Sequence, residues 1–505
     1  MKLKFNKDDL KEEVSASDQT TYRVDPMKTP LGKQAVNNSV ITPTTPLEEA
    51  PPSHEEFVYT PKPQFDVAKK LKFVLPVFFI IILLVPLYFV VTKLNLFSKK
   101  PIGTKGEIVW WGIGLDENVV APVIEKYQEE NPKAKIKYIK QSEIDYGQRL
   151  QNAIDQGVGP DIFSYHNTWT PMFKNDLDVV PETVYTKEEF ATTFYPVVSR
   201  FASTSEGLVG IPLEYDALTL YINEDILSQA GKTAPRTWDQ FKEVAIALTT
   251  KGEKGFVLQS GAAMGLTENV DYWPEIVGLL MLQNKANILK PENDTGPEAI
   301  TFYTDFFAKD KVWDESLPNS VQAFIEGKVA MMIAPVRVYQ DIKSKNPSLR
   351  FRTSNLPQVR RDDPNEPEVA YATYWLQGVW KKSASRDLSW DFLKYLSQKD
   401  TLLSLNQRMA ELGVASKAYP RIDMRDLIIN DRYLGSIAAL APTANSGYLA
   451  FNTQDGPDGV NTLLGNVYQG GIASLTTAPR RSNIDAVVKK MNVELAKVVF
   501  KYGLR

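Results

Sequence analysis

The 505-residue chain has no cysteine and only two histidines, His54 and His166. Disulfides, thiolate nucleophiles and cysteine-rich zinc sites are therefore excluded, and no lipid-modified cysteine can anchor the chain. A cysteine-free chain suits either redox compartment. Ser–His chemistry would have to use His166 or His54, and neither a Gly-x-Ser-x-Gly elbow nor a Gly-x4-Gly-Lys-Ser/Thr phosphate loop occurs. An excess of one charge is also missing, since 58 Lys and Arg stand against 61 Asp and Glu, a formal net charge of −3. With no basic stripe interleaved with aromatics, nucleic acid is not an expected partner. No cofactor and no metal is expected. Internal repeats at periods of about 20–50 residues are absent as well.

Long apolar runs are scarce, and one stands out. Residues 73–91 carry no charge. At about 1.5 Å per helical residue they are long enough to cross a bilayer core of about 30 Å. The run lies deeper than an ordinary signal peptide, which occupies about the first 15–30 residues, and no small-x-small cleavage pattern follows it. Lys69, Lys70 and Lys72 precede it and Lys99 and Lys100 follow it. Pro76 and Pro86 would kink a soluble core helix but are tolerated in membrane spans. The expectation is a transmembrane signal-anchor over 69–97, in contact with the lipid bilayer through 73–91. Flanking charge is balanced, so the positive-inside rule does not orient it. Residues 1–68 are rich in Pro, Thr, Ser and mixed charge, and read as a disordered tail. Residues 98–106 read as a tether.

Residues 107–505 exceed the usual single-core limit of about 250–300 residues, so two lobes are expected. The segment opens with a short apolar strand over 107–111. Asp116 is placed to cap a helix with Val119, Val120, Val123, Ile124 and Tyr127 on one face, ending at Asn131-Pro132. Residues 135–139 alternate Lys with Ile and Tyr, like a strand with one exposed face. A second helix over 146–156 closes at Gly157 and Gly159, and a third strand covers 161–164. This β-α-β-α-β order predicts an α/β domain with a mostly parallel sheet, whose ligands bind beyond the carboxyl ends of the strands. Trp110, Trp111 and 165–169 fall there.

Several motifs carry a family resemblance. Gly157-Val158-Gly159-Pro160-Asp161-Ile162-Phe163 resembles the Gly-x-x-Pro-Asp-Ile/Val signature of extracellular solute-binding proteins of ABC importers, family 1, the maltodextrin- and sugar-binding type. Gly210-Ile211-Pro212-Leu213-Glu214-Tyr215-Asp216-Ala217-Leu218 is similar to the stretch in which that family first crosses between lobes. Thr237-Trp238-Asp239-Gln240-Phe241, with Thr237 as N-cap, is similar to a helix start of the family. Gly327-Lys328-Val329-Ala330-Met331-Met332 and Ser389-Trp390-Asp391-Phe392-Leu393 match its Gly-x-x-Ala-Met and Ala-x-x-Phe-Leu elements, in the same order. Tail and apolar run lie outside the resemblance.

The resemblance implies a two-lobed α/β fold of the periplasmic-binding-protein type II, preceded by the transmembrane helix and the tail. Lobe one would comprise about 107–214 and 372–420, and lobe two about 217–369 and 421–505. It implies a binding protein rather than an enzyme, a monomer that closes on a carbohydrate and delivers it to ABC permease subunits. It also implies orientation, with the tail cytoplasmic and the domain extracellular or periplasmic.

Sugars need aromatic rings for their C–H faces and directional polar groups for their hydroxyls. On the likeness, the ligand-binding candidates are Tyr165, His166, Asn167 and Trp169 after the third strand, and Asp216 at the crossing. Lobe two would add Tyr272 and Trp273, with Arg337 and Tyr339 after the Gly-x-x-Ala-Met strand; Tyr374 and Trp375 open the lobe-one return. Trp110 and Trp111 end the first strand, and alternation lets one of them face the cleft while the other joins the core. Arg337 stands where the family has an aromatic platform, a departure that points to a charged or acidic solute. Asp455 and Asp458 fit a plain turn or a calcium loop unlike an EF-hand. The rival readings are a glycoside hydrolase, which needs only two carboxylates about 5–10 Å apart, and a receptor for a peptide, polyamine or acidic solute.

Overall fold

The computed structural model of the chain describes residues 106–361, 363, 365–477 and 483–504. The expected tail, signal-anchor and nearly all of the tether lie outside the described residues, and among those described no helix is long and apolar enough to cross a membrane.

Among the described residues, ten strands form two five-stranded sheets. In chain order they are β1 (Glu107–Gly112), β2 (Lys135–Lys140), β3 (Ile162–His166), β4 (Ile211–Pro212), β5 (Leu218–Asn223), β6 (Thr250–Lys251), β7 (Val257–Ala262), β8 (Val329–Pro335), β9 (Phe351–Ser354) and β10 (Trp375–Val379). The first sheet runs β2-β1-β3-β10-β4 and the second β6-β7-β8-β5-β9. Each is the centre of one lobe.

Local chemistry accounts for the opening elements. Asp116 caps the helix Glu117–Glu130 by accepting from Asn118 N, and the five apolar residues expected on its inner face are buried. β2 lies at the sheet edge, with Lys135 and Lys137 exposed. Such charges protect an edge from pairing with another chain. β2, β1 and β3 run parallel, as the β-α-β-α-β order predicts. β10 then inserts antiparallel between β3 and β4, so the sheet is mixed. Thr237 caps the helix Trp238–Ala247 through Gln240 N, also as expected.

The lobes are joined by backbone that crosses between β4 and β5 and returns between β9 and β10. These crossing segments are hydrogen-bonded to one another. Leu218 N donates to Tyr371 O and Thr373 N to Asp216 O, while Ala372 N donates to Asn445 O. A third crossing segment, at 445, thus lies beside the first two. The final helices, Val460–Thr476 and Ile484–Tyr502, pack on one another and against Thr295–Ala308 of the second lobe.

Candidate ligand cleft

β3 is buried along its whole length and ends at His166, where the chain turns into the short 3-10 segment Asn167–Trp169. His166 shares hydrogen bonds with Thr168 Oγ1 through Nδ1 (2.8 Å) and with Thr373 Oγ1 through Nε2 (2.9 Å). Burial pushes its pKa down to about 3, with Arg337 adding to the effect, so the imidazole is neutral at physiological pH. Asn167 clamps the same corner. Its backbone N donates to Tyr374 O and its Oδ1 accepts from Tyr374 N, while Nδ2 donates to Ser446 Oγ. The end of β3 is therefore tied to two crossing segments.

An aromatic wall stands beside this corner. The Trp169 ring stacks on Tyr146 at 6.0 Å and 25°, and meets Trp375 edge-on at 5.3 Å. Trp375 also contacts His166 edge-on at 5.5 Å. Trp169 and Tyr146 are buried and Trp375 is half-buried. Trp169 and Tyr146 hold the ring, and Trp375 presents it.

At the hinge, Asp216 is saturated by donors. Its Oδ1 accepts from Ala217 N (2.8 Å) and Val336 N (2.9 Å), and Oδ2 from Arg337 Nη1 (2.8 Å). Burial raises its pKa, and Arg337 and the backbone donors oppose that. Asp216 thereby holds Arg337, whose side chain keeps 47% of its surface exposed. The guanidinium lies over the Tyr272 ring, 5.4 Å from its centroid. Tyr272 adopts a left-handed φ of 59° directly before the helix Trp273–Gln283. Such a conformation is costly for a bulky residue and marks a position fixed by its surroundings.

Tyr272 packs edge-on against Phe451, whose N donates to Glu275 Oε1 (2.8 Å). Glu275 is fully buried, and its Oε2 has no hydrogen-bond partner among the described residues. Burial lifts its pKa to about 8, so it is largely protonated at neutral pH. Because the folded pKa lies above the ordinary value of 4.5, the native state binds the extra proton between those two values. The Glu275 contribution to stability therefore falls as pH rises from about 4.5 to about 8, by up to about 1.4 kcal/mol per pH unit, and is flat above. Glu275→Gln keeps the acceptor for Phe451 N. It is expected to remove that share of the slope and to raise the melting temperature at pH 8 relative to the parent; an unchanged pH profile would contradict this protonation.

The structure thus brings His166, Asn167, Trp169, Asp216, Tyr272, Arg337 and Trp375 into one connected network between the sheets. Trp273 is buried nearby, at a hollow of ≈ 440 Å³ bordered by Asp145, Thr267 and 450–457. Other candidates lie elsewhere. Trp110 is a core residue, with Nε1 donating to Gln377 Oε1 and its ring between Tyr138 and Phe392. Trp111, next along the strand, is half-buried. Tyr165 is also core, filling space left by Gly210 and Gly378, where a Cβ would approach its ring within 3 Å. Tyr374 is buried with its hydroxyl donating to Val197 O. Tyr339 stacks on Tyr433 at 4.9 Å and donates to Ser416 O.

Asp455 serves a helix start: Oδ2 accepts from Asn461 N (2.7 Å) and Oδ1 from Thr462 Oγ1 (2.6 Å), while Asp458 pairs with Lys501. That is the turn reading, and among the described residues no cluster of three His, Cys, Asp or Glu could hold a metal ion. Sequence reasoning missed Tyr146, Thr373, Phe451 and Glu275. Glu275 had a signal, a single acid within the otherwise apolar run Trp273-Pro274-Glu275-Ile276-Val277.

Comparisons with known proteins agree with this architecture. The family model described as bacterial extracellular solute-binding protein matches residues 123–424. A maltotriose-binding protein of Pyrococcus abyssi is 20% identical over 402 residues, covering 78% of this chain and 83% of its own length. A binding protein of Brucella abortus (strain 2308) is 23% identical over 360 residues, 68% of this chain and 83% of the relative. Among solved structures, a cyclo/maltodextrin-binding protein complexed with maltotetraose aligns with a TM-score of 0.62 at 13% identity, over 79% of this chain and 99% of that one. An ABC transporter solute-binding protein of Thermotoga lettingae bound with alpha-D-tagatose gives 0.61 at 17% identity, over 78% and 100%. These structures share the two-lobed α/β fold. Since the family match spans more than half of the sequence, the chain belongs to the bacterial extracellular solute-binding protein family.

Proposed function

We propose that this protein captures a carbohydrate between its lobes and delivers it to an ABC importer. The observation that carries this reading is the continuous network at the strand ends, where the half-buried ring of Trp375 stands near polar groups fixed by the hinge. An aromatic face with pre-oriented donors is what a pyranose ring and its hydroxyls require. His166, Asn167, Asp216, Tyr272 and Arg337 set the polar side of the site, and Trp169 and Trp273 support it. The names of the relatives, several of them maltodextrin binders, support the same class. Closure of the two lobes about the crossing segments buries the solute. The domain acts as a monomer outside the cell, held to the bilayer by 73–91 with 1–68 in the cytoplasm.

The test is thermal unfolding of the detergent-solubilised full chain against mono- and oligosaccharides, with amino acids, peptides and polyamines as controls. A ligand that binds only the native state adds about 2.7 kcal/mol at a hundredfold excess over its Kd. Selective stabilisation by a saccharide that is recovered intact is the expected result. Cleavage of the sugar, or stabilisation by the controls alone, would overturn the reading.

A further inference from the structure

Arg337 uses little of its donor capacity. Nη1 donates to Asp216 Oδ2, while Nε and Nη2 have no hydrogen-bond partner among the described residues. A guanidinium offers five N–H donors in a rigid fork that matches a planar oxyanion. Two supports keep this fork in place: the Asp216 carboxylate, itself fixed by Ala217 N and Val336 N, and the Tyr272 ring. Arg337 is therefore a pre-oriented, half-exposed cation beside the buried polar groups His166, Asp216 and Glu275.

The groups that face it come from every neighbouring element. Asp216 lies on the crossing segment, Tyr272 and Glu275 open the helix Trp273–Gln283, and His166 ends β3. Glu214, farther along the crossing, is already paired with Lys417. His166 is neutral, and Glu275 is protonated below about pH 8. One compensating carboxylate remains, with both oxygens occupied. A single further anionic charge is thus attracted more strongly by the nearer guanidinium than it is repelled by Asp216.

We infer that the cleft selects an acidic saccharide, whose uronate-type carboxylate is received by Nε and Nη2 of Arg337 while its ring packs on Trp375. The inference rests on the carbohydrate reading above and specifies its substrate class. A carboxylate fits better than a phosphate ester, which carries about −1.5 to −2 at neutral pH and would leave uncompensated charge beside Asp216.

Calorimetric titration of the full chain tests this with matched pairs: oligogalacturonates against galactose oligomers, and glucuronate-containing disaccharides against their glucose counterparts. Sugar phosphates form a further arm. The uronates are expected to bind at least about tenfold more tightly than the neutral sugars, about 1.4 kcal/mol. Arg337→Gln should bring that ratio close to one, and the double variant Asp216→Asn/Arg337→Gln, which leaves no unpaired buried charge, should do the same. The preference should shrink above pH 8, where Glu275 ionises beside Arg337, and Glu275→Gln should keep it constant.

Equal or tighter binding of neutral sugars overturns the inference and leaves the carbohydrate function standing, as does a preference for uronates that survives Arg337→Gln. Tightest binding of sugar phosphates overturns the choice of carboxylate. A chain that binds no saccharide at all overturns the carbohydrate reading together with the inference.

Discussion

Asp216→Ala is expected to lower both stability and affinity, because one carboxylate holds three donors from two segments. Ala217 N, in a buried residue, would lose its acceptor at Oδ1, whereas Val336 N would keep its second acceptor, Ala217 O at 3.1 Å. A buried donor left without a partner costs about 1–3 kcal/mol. The half-exposed guanidinium regains water on losing Asp216, so its share is smaller than for a fully buried ion pair. The expected loss is about 1–3 kcal/mol, read as a lower denaturation midpoint with an unchanged slope. Affinity should fall at least about tenfold, about 1.4 kcal/mol, since Arg337 is no longer held over Tyr272. Asp216→Asn separates the two effects: its amide oxygen still accepts from the backbone, so stability recovers in part while binding stays weak. Parental affinity in Asp216→Ala would remove Asp216 and Arg337 from the site.

Trp169→Ala should be the most destabilising single change in the aromatic wall. The side chain is fully buried against Tyr146, Phe173 and Trp375. Removing a buried Trp costs about 3–5 kcal/mol through lost transfer energy and the cavity left behind. The variant also withdraws the edge that orients Trp375, so affinity should drop although Trp169 itself has no accessible surface. Trp169→Phe refills most of the volume and should fall between the two. A Trp375→Ala variant provides the contrast, weakening binding with a smaller stability loss because that ring is half-buried. If Trp169→Ala unfolded at the parental midpoint, the wall would not be part of the lobe-one core.

The legibility of this chain divides along local and long-range lines. Asp116 and Thr237 were readable as caps because an N-cap is a contact within three residues. The parallel β2-β1-β3 order followed from short, regular alternation of elements. The antiparallel β10 did not, because its pairing with β3 joins residues such as His166 and Trp375 across most of the domain, and nothing local announces that register. Alternation predicted that one of Trp110 and Trp111 would join the core, but the choice depended on Tyr138, Gln377 and Phe392, which only folding brings together.

The same distinction runs through the cleft. His166, Asp216, Arg337 and Trp375 were reached through family motifs, and the structure unites them. Their supports were hidden. Phe451 reaches Glu275 through its backbone N, a contact between residues 176 positions apart that leaves no trace in residue type. Asp216 looked like a ligand contact, yet its oxygens are filled by Ala217, Val336 and Arg337, so its part is to hold a partner in place.

Hydrogen exchange of the full chain, with and without a stabilising saccharide, tests the central claim most directly. Binding between the lobes predicts added protection at 166–169 and 373–375 on one side and at 272–275 and 336–339 on the other, together with slower exchange along the crossing backbone at 215–218. Protection confined to one lobe, or to the groove around Lys174, Arg200 and Tyr448, would contradict capture at the network that joins Trp375 to Arg337.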